Sequence, residues 1–187
     1  MNRALLNKET SEEAEEKDVI VNPHSKNLDG QTLLHIAANQ GNFTLAKKLL
    51  EQGADVNAVS NQWYTPLHYA ANHSEVEIAE LLLENGAKVN ALSNFDYTPL
   101  HYAAHKGNTN LTKLLIEKGA VLNIRNTFGH TPLHCAANHG RTGAASILLE
   151  KGAKLQIEDE DGYTALDLAK KSGYMDIVNL IQSYLVK

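Results

Sequence analysis

Residues 65–71 read TPLHYAA, and residues 98–104 read TPLHYAA again. Near-copies stand 33 positions away on either side: TLLHIAA from Thr32, TPLHCAA from Thr131 and TALDLAK from Thr164. A second phrase keeps the same register, with QGADVN, NGAKVN, KGAVLN and KGAKLQ placing Gly at 53, 86, 119 and 152. A fixed period without insertion or deletion marks a repeat architecture. No single unit of such an array buries enough apolar surface, so stability comes from stacking on neighbours.

The unit can be read residue by residue. Thr65, Thr98 and Thr131 suit a helix N-cap, accepting a hydrogen bond from an orphan backbone N–H. Pro66, Pro99 and Pro132 then fall at the first helical position, where the missing N–H costs nothing. The short helix is expected to end near Gly107, Gly140 and Gly173, the residue type that tolerates a left-handed turn. A second helix follows with Ile78, Ala79, Leu82 and Leu83 on one face, and it ends at the Gly of the GA pair.

These residues resemble the ankyrin repeat, and the resemblance covers residues 27–187. It implies an all-α repeat solenoid, an ankyrin-type stack of helix-turn-helix units with hairpin-like tips. The expected units are residues 27–59, 60–92, 93–125, 126–158 and a C-terminal capping unit, 159–187. In the last unit Lys170 replaces an Ala and Gln182 an aliphatic residue, as suits a face that no further unit covers. Residues 1–26 are an acidic segment read as a degenerate half-repeat cap, the alternative being a disordered tail.

Composition sets bounds on function. The chain of 187 residues is 43% hydrophobic and 21% charged, which is globular rather than disordered. A net charge of −5 argues against a general nucleic-acid or anionic-membrane binder. No stretch approaches the ~20 apolar residues that span a bilayer. One cysteine, Cys135, excludes an internal disulfide and fits a reducing, cytoplasmic location, with a monomer expected. Three arginines against many Asn and Lys match the bias of AT-rich genomes, among them those of intracellular bacteria that export ankyrin proteins into host cells, and of eukaryotic microbes.

No catalytic residue, cofactor or metal is expected. His35, His68, His101 and His134 recur at one position of the unit, and stacking separates them by a layer each, too far to share a tetrahedral metal site. The resemblance implies that this His bonds the cap Thr and nearby backbone. Cys135 occupies the position of Ile36, Tyr69, Tyr102 and Leu168 and reads as a small core residue. The acidic run at 158–162 fails as a calcium loop, because Ile157 and Leu168 would have to supply the first and twelfth ligands. There is no phosphate-cradling Gly loop with Lys, no G-x-S-x-G and no H-E-x-x-H.

What remains is surface that the scaffold does not require. The resemblance implies a concave groove, formed by tips and first helices, that binds a partner protein. The tip positions are aromatic: Trp63 and Tyr64, Phe95 and Tyr97, Phe128 beside His130, then Tyr163. The ends of the first helices add Gln40, His73, Lys106 and His139 with their neighbours Asn39, Asn72, His105 and Asn138. Rigid aromatics beside hydrogen-bonding side chains are the composition of a binding surface. Trp63 stands where other units carry Gly30, Gly129 and Gly162. Either the turn changes shape and Trp63 lies against a neighbour such as Tyr97, or Trp63 is an anchor for the partner. The leading expectation is a non-catalytic protein-interaction module using the groove and tips of units two to four. The alternative is nucleotide or small-ligand recognition, with Trp63 or Phe95 stacking and Lys106, Arg125 or Arg141 meeting phosphate. Asn57, Asn90 and Asn123 also match positions that are hydroxylated in some ankyrin proteins.

Overall fold

The computed structural model describes residues 22–186. The half-repeat cap expected for residues 1–26 falls for the most part outside the described residues. Ten helices run in order among them: α1 (Leu33–Gln40), α2 (Phe43–Glu51), α3 (Pro66–His73), α4 (Val76–Glu84), α5 (Pro99–Lys106), α6 (Thr109–Glu117), α7 (Pro132–Asn138), α8 (Thr142–Glu150), α9 (Ala165–Lys171) and α10 (Met175–Leu185). None is long and apolar enough to cross a membrane. Each odd-numbered helix packs on the even-numbered helix that follows it. Odd helices also stack on odd helices and even on even, giving two parallel layers along the array.

Helices of 7–11 residues are marginal alone in water, so the layers must hold them. Leu34, Leu67, Leu100 and Leu133 form one buried file through the inner layer. Leu49, Leu82, Leu115, Leu148 and Ile181 form a second through the outer layer, each 2% exposed or less. Paired alanines at 37–38, 70–71, 103–104 and 136–137 are fully buried and let inner helices approach closely. Burying one such Leu stabilises by about 1.5–3 kcal/mol. Lys170 and Gln182, on the last pair, are exposed.

The Thr–His pair is a capping device that also reaches the next unit. The backbone N–H of Thr32, Thr65, Thr98 and Thr131 donates to Nδ1 of the His three residues on, at 3.0–3.2 Å. Nδ1 therefore carries no proton, and Nε2 does. That proton is donated 29 residues ahead, to the carbonyls of Tyr64, Tyr97, His130 and Tyr163. In the last pair Asp167 keeps the cap, accepting from the Thr164 N–H and hydroxyl, and has no later tip to reach among the described residues.

Each tip is a tight turn closed by a small polar side chain. Ser60 N–H donates to the Tyr64 carbonyl, and the Ser60 hydroxyl accepts from Tyr64 N–H; Ser93 and Tyr97 repeat the arrangement. Asn27, Asn126 and Asp159 do the same through side-chain oxygens. Successive tips are tied by single backbone bonds: Asn61 to Asp29, Asn94 to Gln62, Thr127 to Phe95 and Glu160 to Phe128. At the turn's centre φ is positive for Gly30 (72°), Trp63 (62°), Asp96 (58°), Gly129 (77°) and Gly162 (81°). The turn therefore does not change shape to accommodate Trp63.

Candidate functional site

The tip side chains form an exposed edge. Trp63 is 63% exposed, Phe95 49% and Phe128 50%. Phe95 and Phe128 stack on each other with centroids 6.2 Å apart and ring planes 27° apart. Phe128 continues to His130, tilted at 6.3 Å, and His130 lies 3.3 Å from the Asp159 carboxylate. Trp63 makes no ring pair with another aromatic among the described residues. Trp63 forms no ring pair with Tyr97, whose ring packs on Tyr102 with centroids 5.4 Å apart.

Holding an L-residue in the left-handed region costs about 1–2 kcal/mol. Asp96 offsets part of that cost by accepting from the Thr127 hydroxyl at 3.2 Å. Trp63 has no comparable side-chain hydrogen bond among the described residues and leaves most of its surface in water.

Tyr64 and Tyr97, expected at the tip, are half-buried one layer inward. They join two tyrosines of the first helices, Tyr69 on α3 and Tyr102 on α5. Tyr64 meets Tyr69 and Tyr102 edge to face, each at 5.8 Å. The Tyr102 hydroxyl donates to that of Tyr64 at 2.8 Å, and Gln31 Nε2 donates to the Tyr69 hydroxyl at 2.6 Å. Burial pushes the Tyr102 phenol well above its ordinary value, with the Tyr64 hydroxyl adding to it. The rings of Tyr64, Tyr69 and Tyr102, with His68, Gln62 and Asn72, line a cleft of about 190 Å³. A second cleft of about 290 Å³ adjoins it, sharing Gln62 and Tyr69 and reaching Asp29, Gln31, Ser60 and Asn61.

Sequence reasoning placed Tyr69 and Tyr102 only among core positions. The signal that could have found them is the Tyr that follows His in TPLHYAA, where the first and fourth units have Ile36 and Cys135. A phenol at a position otherwise apolar brings a hydroxyl that needs a partner.

At the inner helix ends, Gln40, His73 and Lys106 are exposed and His139 is half-buried. His139 Nδ1 donates to the Cys135 carbonyl at 3.0 Å, and its ring meets that of His105 edge to face at 4.0 Å. Of the three cations proposed to meet phosphate, Arg125 is engaged: its guanidinium donates to Glu160 at 2.8 Å. Cys135 is buried, and burial pushes its thiol up to about 12. Among the described residues no three His, Cys, Asp or Glu side chains converge as a metal site. Asn57 is built into the scaffold: its Nδ2 donates to the Gly86 carbonyl and its Oδ1 accepts from Lys88 N–H. Asn90 bridges to Gly119 and Val121 in the same way.

A family model described as ankyrin repeats in three copies matches residues 3–93 and again residues 100–185. No curated protein matches the chain.

Proposed function

Because the chain belongs to the ankyrin-repeat family, we propose that it is a non-catalytic module that holds a segment of a partner protein along its concave groove and aromatic tips. Ankyrin repeats are in general protein–protein interaction modules, and repeat arrays present extended concave surfaces for that task. The observation that carries the finer reading is Trp63. It occupies a left-handed position that costs stability, pairs with no other aromatic ring among the described residues, and exposes 63% of its surface. A large aromatic held in that state with most of its surface in water suits an interface anchor.

Trp63 would supply one apolar contact and the stacked pair Phe95–Phe128 another. The clefts between them and the inner helices offer the hydroxyls and amides of Tyr64, Tyr69, Gln62 and Asn72. Such groups fix the register of an extended backbone rather than supply bulk affinity. Gln40, His73, Lys106 and His139 would line the far bank.

The test is capture of the partner from a lysate of the source cell by wild type and by a Trp63→Ala, Phe95→Ser, Phe128→Ser variant whose helical content matches wild type. A protein held by wild type and lost by the variant supports the reading. Equal capture by both removes the tips from it.

A further inference from the structure

This inference rests on the reading above and gives the chemistry of one contact within it. His105, Lys106, His139 and Arg141 gather at the inner ends of α5 and α7. The two imidazoles meet at 4.0 Å. Arg141 Nε donates to the His105 carbonyl at 2.9 Å, which fixes the guanidinium and leaves its terminal nitrogens without a hydrogen-bond partner among the described residues. Neither Lys106 nor Arg141 has a carboxylate within ion-pairing distance among those residues.

The scaffold uses the stem of Arg141, which lies over Gly107, and its Nε, which bonds the His105 carbonyl; it does not use the terminal guanidinium nitrogens. Arg141 is the N-cap of α8, and it makes no side-chain cap. At the equivalent position Asn42 and Asn108 cap α2 and α6 by accepting from the N–H of Leu45 and Leu111, whereas Glu75 and Tyr174, like Arg141, make no side-chain cap. Asn108 also donates its Nδ2 to the Ser74 carbonyl of the preceding pair. Arginine keeps only that second task. It forgoes a cap worth about 1 kcal/mol and sets a cation at the positive end of a helix. Lys106, in the last turn of α5, suits the opposite end of a helix dipole and would need no further explanation alone.

We propose that His105, Lys106, His139 and Arg141 form a site for a carboxylate of the partner segment, an aspartate or glutamate side chain. A guanidinium held at Nε presents its terminal N–H groups as a ready fork for a carboxylate. The attraction is local, because the chain as a whole carries −5 and salt screens beyond roughly 8 Å. His105 is pushed down to about 4 by burial, then by His139, Lys106 and Arg141. These three are the groups that act on it, from α7, from α5 itself and from the head of α8, and none is an acid. A bound carboxylate opposes the field of these cations and favours the imidazolium of His105, so binding takes up a proton and strengthens as pH falls.

The probe is an acetylated, amidated hexaglutamate, measured by calorimetry and by the imidazole NMR signals at pH 7.5 and 5.5, where glutamate stays ionised. The expected result is binding about fivefold tighter at the lower pH, with proton uptake and movement of the His105 and His139 signals. A Lys106→Gln, Arg141→Asn variant regains the α8 cap, so it should fold at least as well as wild type. It should bind hexaglutamate about tenfold more weakly. Equal binding by wild type and variant, or binding that does not change with pH, overturns the proposal. Inorganic phosphate that binds as tightly as hexaglutamate overturns the carboxylate assignment. Trp63→Ala lies outside the cluster and should leave hexaglutamate binding unchanged, so the tip reading stands or falls separately.

Discussion

His68 donates its Nε2 proton to the carbonyl of Tyr97 at 2.9 Å while its Nδ1 accepts from the backbone N–H of Thr65 at 3.1 Å. One imidazole thus caps its own helix and fastens the tip of the next unit. The arrangement needs the neutral ring: a proton on Nδ1 would face the Thr65 N–H. Burial adds to this, lowering His68 and His101 to about 4 and also lowering His35 and His134.

Stability should therefore fall on acidification. Between the unfolded value near 6.5 and the folded value near 4, the unfolded chain binds protons that the folded chain refuses. The stabilisation is complete above about pH 6.5, declines as pH falls toward 4, and levels off below. His68 and His101 alone would cost on the order of 3 kcal/mol each across that window. Urea midpoints measured from pH 8 to pH 4 should drop steeply below pH 6.5; a flat profile contradicts the assignment of the tautomer.

Two glycines of nearly equal φ, Gly129 at 77° and Gly162 at 81°, separate strain from contact. A Cβ at Gly129 would lie 2.7 Å from Glu160 N and 2.8 Å from Asp159 Cα, whereas one at Gly162 would meet nothing within 4 Å. Gly162→Ala should cost only the left-handed strain, about 1 kcal/mol. Gly129→Ala should cost at least about twice that, because the backbone of the next tip has to move. Thermal melts of both variants compare them directly, and equal losses would refute the close approach of the tips.

Cys135 reports on the same cooperativity. Buried, and with its thiol pushed up to about 12, it should resist a thiol reagent at neutral pH until the array opens. Labelling in urea should track the loss of helical signal. Rapid labelling of native protein would show that α7 opens without global unfolding.

Much of the fold was legible because each role falls on the same residue type at the same place. Thr caps, His bonds forward, and the glycines near 107, 140 and 173 take a positive φ. The tips were legible only in part. Phe95 and Phe128 proved neighbours, as adjacent tips should be, but their mutual stacking depends on side-chain rotation. Tyr69 and Tyr102 escaped notice because their position is apolar in other units; only the stacked structure brings their hydroxyls to Gln31 and Tyr64. The meeting of His105 with His139 joins unlike positions of adjacent units, one unit's penultimate helical residue and the next unit's C-cap. A period of 33 aligns like with like and so conceals such a pair.

The central claim is that Trp63 serves a partner and not the array, and Trp63→Gly tests it most directly. Glycine relieves the left-handed strain at some cost in chain entropy, so stability should rise by about 0.5 kcal/mol. The affinity of the captured partner should fall roughly 30-fold at the same time, as for a hot-spot residue. A more stable protein that binds worse is the predicted result. A Trp63→Gly protein that binds its partner as tightly as wild type, or that melts several degrees lower, would contradict it.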